Sequence, residues 1–197
     1  MEMAKAMSGQ KTVTPSAESL AASISAAKTR GLPPVEKWNP PFCGDLDMRI
    51  ARDGTWFYQG TPIGRPGLVK LFSSILKKEG EDYFLVTPVE KVGIQVDDAP
   101  FVAVDFDAKG TGRDQILTFT TQVDDHVVAS DTLPIRVVRD PETGEPSPYV
   151  CVRRNLEALI DRKSFYRLVD IGEHHDDWFG LWSSGVFFPI IPSAELP

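Results

Sequence analysis

Long apolar runs are missing from this 197-residue chain. The longest, Gly185-Val186-Phe187-Phe188-Pro189-Ile190-Ile191, is broken by proline and falls well short of the roughly 18 apolar residues of a membrane span. No apolar stretch follows Lys5 near the start, so no signal peptide is expected. Cysteine is scarce. Cys43 and Cys151 lie far apart and form no C-x-x-C pair, which points to a reduced, cytoplasmic setting. An excess of basic residues is missing too: 21 Lys and Arg stand against 28 Asp and Glu, a net charge of −7. That excludes a broad duplex-DNA footprint and leaves room only for a local basic pocket. No Gly-Lys-Ser/Thr follows a glycine-rich loop, and there is no G-x-S-x-G elbow. Composition and motifs therefore predict no cofactor, no metal and no catalytic set.

With 42% hydrophobic residues the chain can bury a core. It also carries an apparent internal repeat. Arg49-Ile50-Ala51-Arg52-Asp53 returns as Arg136-Val137-Val138-Arg139-Asp140. Arg65, Leu68, Leu71 and Phe72 return as Arg153, Leu156, Leu159 and Ile160, and Tyr83, Leu85 and Val86 return as Tyr166, Leu168 and Val169. The pattern predicts an α+β fold of two similar β-rich units, each strand–strand–helix–strand and mostly antiparallel. Its divisions are an N-terminal tail with a short helix (1–31), a first unit (32–98) and a second unit (99–197).

Local signals fill in the elements. Leu20, Ile24 and Ala27 share one helical face ahead of Gly31, giving a short helix that must dock on its own body or on a second subunit to persist. Asp53-Gly54 between Ile50 and Trp56 reads as a hairpin turn. Pro66 opens a helix whose apolar face runs through Leu68, Leu71, Phe72, Ile75 and Leu76, with Lys77 and Lys78 near its end and Gly80 as its stop. Tyr83–Val86 and Lys91–Val96 read as strands, and Asp97-Asp98-Ala99-Pro100 as a boundary turn. In the second unit a hairpin follows, with Val102, Val104 and Phe106 toward the core. Ile135–Arg139 and Tyr149–Val152 are then strands, Leu156–Ile160 a helix, and Phe165–Ile171 the last strand of the copy. The aromatic tail from Trp178 to Ile191 is expected to seal the core or an interface.

Two arginines at matched helix lead-ins, Arg65 and Arg153, are the best anion-site candidates, because free N–H groups at helix starts attract negative charge. Lys91 would add charge, Trp56 would stack on a planar group if exposed, and Asp97 and Asp98 end the strand beside them. Seams between paired units are where ligands commonly bind. The leading expectation is a sensor or binding module with a small anionic ligand at the seam. Two rival readings are a metal-assisted hydrolase using Asp124, Asp125 and His126 or the His174-His175 pair, and a protein-interaction adaptor. For the adaptor, the N-terminal helix or the aromatic tail would make a homo-oligomer.

Several stretches together resemble the bacterial domain of unknown function 1285 family: Arg49-Ile-Ala-Arg-Asp-Gly-Thr-Trp56, Pro62-Ile-Gly-Arg65, Thr87-Pro-Val-Glu-Lys91-Val-Gly-Ile94, Val96-Asp-Asp-Ala-Pro-Phe101 and Tyr149-Val-Cys-Val-Arg153. The resemblance covers roughly residues 32–190. It implies a duplicated β-rich core with a helix in each half and a distant likeness of the second half to pleckstrin-homology-type folds. It also implies a pocket at the seam, a nucleotide-like ligand and a signalling role. It transfers no catalytic residues.

Overall fold

The computed structural model describes residues 14–27 and 30–196. The chain opens with helix α1 (Ala17–Ala26), capped by reciprocal hydrogen bonds between Ser16 and Ser19. Leu20 and Ile24 are buried and α1 lies against helix α2. It therefore docks on its own body, which a ten-residue helix needs in order to persist.

The first unit runs β1 (Phe42–Ile50), β2 (Trp56–Tyr58), β3 (Thr61–Pro62), α2 (Pro66–Ser74), β4 (Leu76–Glu79), β5 (Asp82–Val86) and β6 (Lys91–Val96). These strands form one six-stranded sheet in the order β3-β2-β1-β6-β5-β4. Only the β1–β6 pairing is parallel. The second unit runs β7 (Phe101–Lys109), β8 (Ile116–Thr121), β9 (His126–Val128), β10 (Ile135–Arg139), β11 (Pro146–Arg153), β12 (Leu156–Ile160) and then α3 (Arg162–Asp170). Its order, β10-β11-β12-β7-β8-β9, is the first order read from the other edge, again with one parallel pair, β12 with β7. Each sheet is thus two three-stranded meanders joined through its first and last strands.

The chain does hold two similar units, but the expected alignment between them is wrong. The matching strands are β1 with β7 and β4 with β10, so Arg49 on the first strand of one sheet has no equivalent in Arg136 on the fourth strand of the other. Leu156–Ile160 is strand β12, not a helix: Leu156, Ala158 and Ile160 are buried in alternation, the period of a strand. The helix comes next, with Asp161 accepting a hydrogen bond from Ser164 N at 2.7 Å and Phe165 and Leu168 turned inward. Arg153 consequently ends a strand instead of leading into a helix. The first helix also stops earlier than expected. It ends at Ser74, and Leu76–Glu79 turns back through Gly80 to pair with β5. A bulge between Ala103 and Asp105 changes which β7 residues face inward: Phe101, Ala103 and Phe106 are core, while Val104 is only partly buried.

The tail forms a third, antiparallel sheet of β13 (Glu173–His175), β14 (Trp178–Ser183) and β15 (Val186–Pro192). Leu181 and Phe188 enter the common core. Gln115 Nε2 donates to Trp182 O at 2.8 Å and Ser183 Oγ accepts from Leu117 N at 3.0 Å, fastening this sheet to the start of β8. The tail therefore seals the second unit. Among the described residues no helix is long and apolar enough to cross a membrane. Cys43 is exposed, Cys151 is buried, and neither forms a disulfide.

Candidate functional site

The two units meet along two clamps. The first is built around Arg153 at the end of β11. Its Nη1 donates to Asp125 Oδ2 at 2.8 Å and its Nη2 to the Ser73 carbonyl at 2.6 Å. The guanidinium carbon lies 4.9 Å from the centre of the Phe101 ring. The side chain is 12% exposed. This one residue ties the C-terminal end of α2 to the β8–β9 loop. Arg154 and Asn155 follow in the β11–β12 turn, Arg154 at a positive φ of 54°. Arg154 Nη1 donates to Leu76 O at 3.3 Å and its Nε pairs with Glu36. Asn155 Nδ2 donates to Lys78 O at 3.2 Å. The turn thereby covers edge strand β4.

The second clamp holds the linker between units. Arg49 grips Asp97 through its Nε at 2.9 Å and a second, shorter contact, and this hydrogen-bonded partner holds the Asp97 carboxyl below its ordinary range. Asp98 accepts from Tyr149 OH at 2.7 Å and pairs with Arg52 Nε at 3.0 Å, while Arg52 Nη2 reaches Ser147 Oγ at 3.2 Å. Burial first, and then the bond to Asp98, push the Tyr149 phenol up to about 12.

Between α2 and the β8–β9 loop lie two cavities. One, of about 270 Å³, is walled by Gly54 and Trp56 from the first hairpin, by Gly64 and Pro66 leading into α2, and by Gln122. The other, of about 460 Å³, is walled by Lys70 and Ser74 of α2, by Gly31 and Leu32 of the connector, and by Asp125 and Arg153. Lys70 Nζ stands 4.0 Å from Asp124 Oδ2 at the same loop. Among the described residues, four buried side-chain polar atoms have no hydrogen-bond partner: Trp56 Nε1, Gln122 Nε2, Arg153 Nε and Ser164 Oγ. Three of these are N–H donors, and all three belong to residues walling these two cavities. Buried donors are normally satisfied, so such a concentration needs a physical cause. A third, larger cavity of about 620 Å³ lies on the first sheet and is lined by Asp45, Asp47, Glu81, Asp82 and Arg49, among others. Neither Arg65 nor Arg153 lines it, and its charge is mainly acidic.

The residues singled out in the sequence do not form one site. Arg153 and Trp56 wall the two seam cavities. Trp56 is 1% exposed and stacked on Phe72 at 6.4 Å between ring centres, so it offers a buried N–H and no open ring face. Arg65 is exposed at the N-cap of α2 and lines none of these three cavities. Lys91 Nζ lies 2.9 Å from Glu79 and 4.7 Å from the Phe84 ring centre, away from the seam groove. Asp97 and Asp98 belong to the linker clamp. Lys70, Ser73 and Gln122 carry no sequence signal that marks them for this place. Gln122 sits in a Thr-Gln-Val run that carries no motif, and only its tertiary packing reveals its place.

The rival metal reading lacks its geometry. Asp125 turns to Arg153, and His126 Nε2 stands 3.6 Å from Asp124 with Nδ1 3.2 Å from Thr120 Oγ1. His174 meets Ser193 Oγ at 2.8 Å, and His175 packs between Trp182 and Phe187. Among the described residues no three His, Cys, Asp or Glu side chains converge as ligands would.

Two family profiles match the chain in tandem: the domain of unknown function (DUF1285), N-terminal domain, over residues 33–99, and the protein of unknown function (DUF1285), C-terminal domain, over residues 100–190. The chain belongs to the DUF1285 family. The crystal structure of a DUF1285 family protein from Silicibacter pomeroyi DSS-3 is 68% identical, with a TM-score of 0.84, over 89% of this chain and 96% of that one. A DUF1285 family protein from Shewanella baltica OS155 is 30% identical, with a TM-score of 0.50, over 64% of this chain and 91% of that one. No match was found among curated proteins. The DUF1285 profiles divide the chain between the two sheets described above.

Proposed function

We propose that this DUF1285 chain is a cytoplasmic binding module that takes a small anionic, nucleotide-like ligand in the seam groove beside α2, in a signalling role. One observation carries the reading: three residues that wall the two cavities, Trp56, Gln122 and Arg153, each hold a buried N–H donor without an acceptor. These donors are closed off from the cavity surface as they stand, and a small turn of their side chains toward a ligand bearing oxygen acceptors would satisfy them. Lys70 and Arg153 supply positive charge at one end, and α2 begins at the other with no acidic residue in its first turn. Asp124 and Asp125 already balance part of that charge, which favours a ligand of modest charge. The helix that follows the second sheet fits the distant likeness to pleckstrin-homology-type folds and is part of the same reading.

The test is calorimetric titration and thermal melting with phosphate, pyrophosphate, citrate and nucleoside monophosphates. At least one should bind and raise the Tm. Lys70→Gln, which alters an exposed side chain, should weaken that binding about tenfold, the loss of one charge-assisted contact. Arg153→Gln should weaken it further. If no compound in the panel binds, or if both variants bind as well as the parent, the reading falls.

A further inference from the structure

We infer that helix α1 and its connector report whether the larger seam cavity is filled, docking more firmly on α2 when it is; this rests on the seam reading above. The structural basis is that one helix serves both purposes. α1 packs on α2, burying Ala17, Leu20 and Ile24, and Ala17 N lies 3.5 Å from Tyr58 OH. The same α2 presents Lys70, Leu71 and Ser74 to the cavity. Gly31 and Leu32 complete that cavity.

Ten residues with three buried side chains make a lightly held element. A helix of that length has little stability of its own, so its docking depends on those few apolar contacts. The connector is also lightly held at this point. Leu32 is half exposed, and Gly31, at a φ of +89°, has among the described residues no atom within contact distance of where a side chain would begin. The next firm anchor is Val35, which is fully buried. A ligand touching both the body (Arg153, Lys70) and the connector (Gly31, Leu32) gains contacts only while α1 and the connector are in place. It must therefore shift the population toward the docked form. Coupling between two binding events is reciprocal, so undocking α1 must weaken the ligand by the same factor that the ligand strengthens docking.

The experiment uses the full chain with pyrophosphate as probe. Amide hydrogen exchange is followed across residues 17–27, with β5 as internal reference. Pyrophosphate at saturation should slow exchange in α1 about tenfold, within the usual range of coupling between sites, and leave β5 unchanged. Leu20→Asp, which undocks α1, should weaken pyrophosphate binding by the same factor. Leu32→Glu, a change at a half-exposed position that leaves the core intact, should weaken it as well. Pyrophosphate binding that Lys70→Gln reduces, with α1 exchange unaltered, would overturn the coupling while leaving the seam site standing. No pyrophosphate binding at all overturns the coupling as stated and leaves the seam site to be decided by the other anions of the panel.

Discussion

The first sheet carries its helix between its third and fourth strands; the second carries its helix after the sixth. The strand orders are otherwise alike. The consequence is spatial. α2, inserted between two meanders, ends at the seam, where the Ser73 carbonyl meets Arg153. α3, placed after the meanders, lies against β7 and the C-terminal sheet instead. A duplicated sheet has thus been given two differently placed helices, and the first of them walls both cavities beside the β8–β9 loop.

Arg65 and Arg153 sharpen this contrast most. Arg153→Ala should cost about 2–4 kcal/mol, because it strands Asp125 and a helix-end carbonyl in a largely enclosed place. Arg65→Ala should stay within about 0.5 kcal/mol, as is usual for an exposed side chain. Chemical denaturation of both variants measures the difference. Equal effects would mean that the two arginines are equivalent after all.

The turn glycines give the next contrast. Gly54 has a φ of +86°, and a Cβ there would lie 3.1 Å from Val102 Cγ2 and 3.2 Å from Gln122 Nε2, both in the other unit. Gly60 has a φ of +75° and open space around it. Gly60→Ala should cost about 1 kcal/mol from backbone strain alone. Gly54→Ala should cost about 1–3 kcal/mol, since steric crowding at the seam is added. Matching midpoints in denaturation would show that the seam yields freely at this hairpin.

A smaller effect belongs to the linker clamp. Tyr149→Phe should cost about 1 kcal/mol at neutral pH, the worth of one hydrogen bond to a charged acceptor that keeps Arg52 as a second partner. Its pH dependence has a definite sign. The folded protein holds the phenolic proton more tightly than the unfolded chain, with a pKa of about 12 against 10.0. The contribution is complete below pH 10 and is lost as pH rises toward 12. Melting curves across that interval should fall more steeply for the parent than for Tyr149→Phe. Smaller still is Asp161→Ala, which removes the cap of α3 and should cost about 1 kcal/mol or less, with no effect on the seam.

Local chemistry was legible in the sequence wherever it was self-contained. Asp53-Gly54 makes its turn, with the Asp53 carboxylate accepting from Thr55 N at 2.9 Å, and Pro66 starts α2. Tyr83–Val86 and Lys91–Val96 are strands as expected. What misled was the repeat itself. Matched to the first unit, Leu156–Ile160 reads as a helix although its own alternation is that of a strand, and the segment that Asp161 caps reads as a strand although it is a helix. The family resemblance was carried by long contiguous stretches and did not depend on that alignment. The candidate site was less legible, because each cavity is walled by residues distant in sequence, Trp56 with Gln122 in one and Ser74 with Arg153 in the other. Whether an N–H is left without an acceptor is a property of packing, and no spacing in the chain encodes it.

The turn that carries Arg154 and Asn155 over β4 has a consequence for the separated halves. In the intact chain those side chains occupy the Leu76 and Lys78 carbonyls of a border strand. Cut at the junction near residue 99, the front half would bare that strand's backbone, and bare borders recruit like strands from other molecules. Sedimentation of the isolated half should reveal concentration-dependent clumping, and adding the back half should suppress it. The rear portion of the polypeptide would then act as a built-in chaperone for the front.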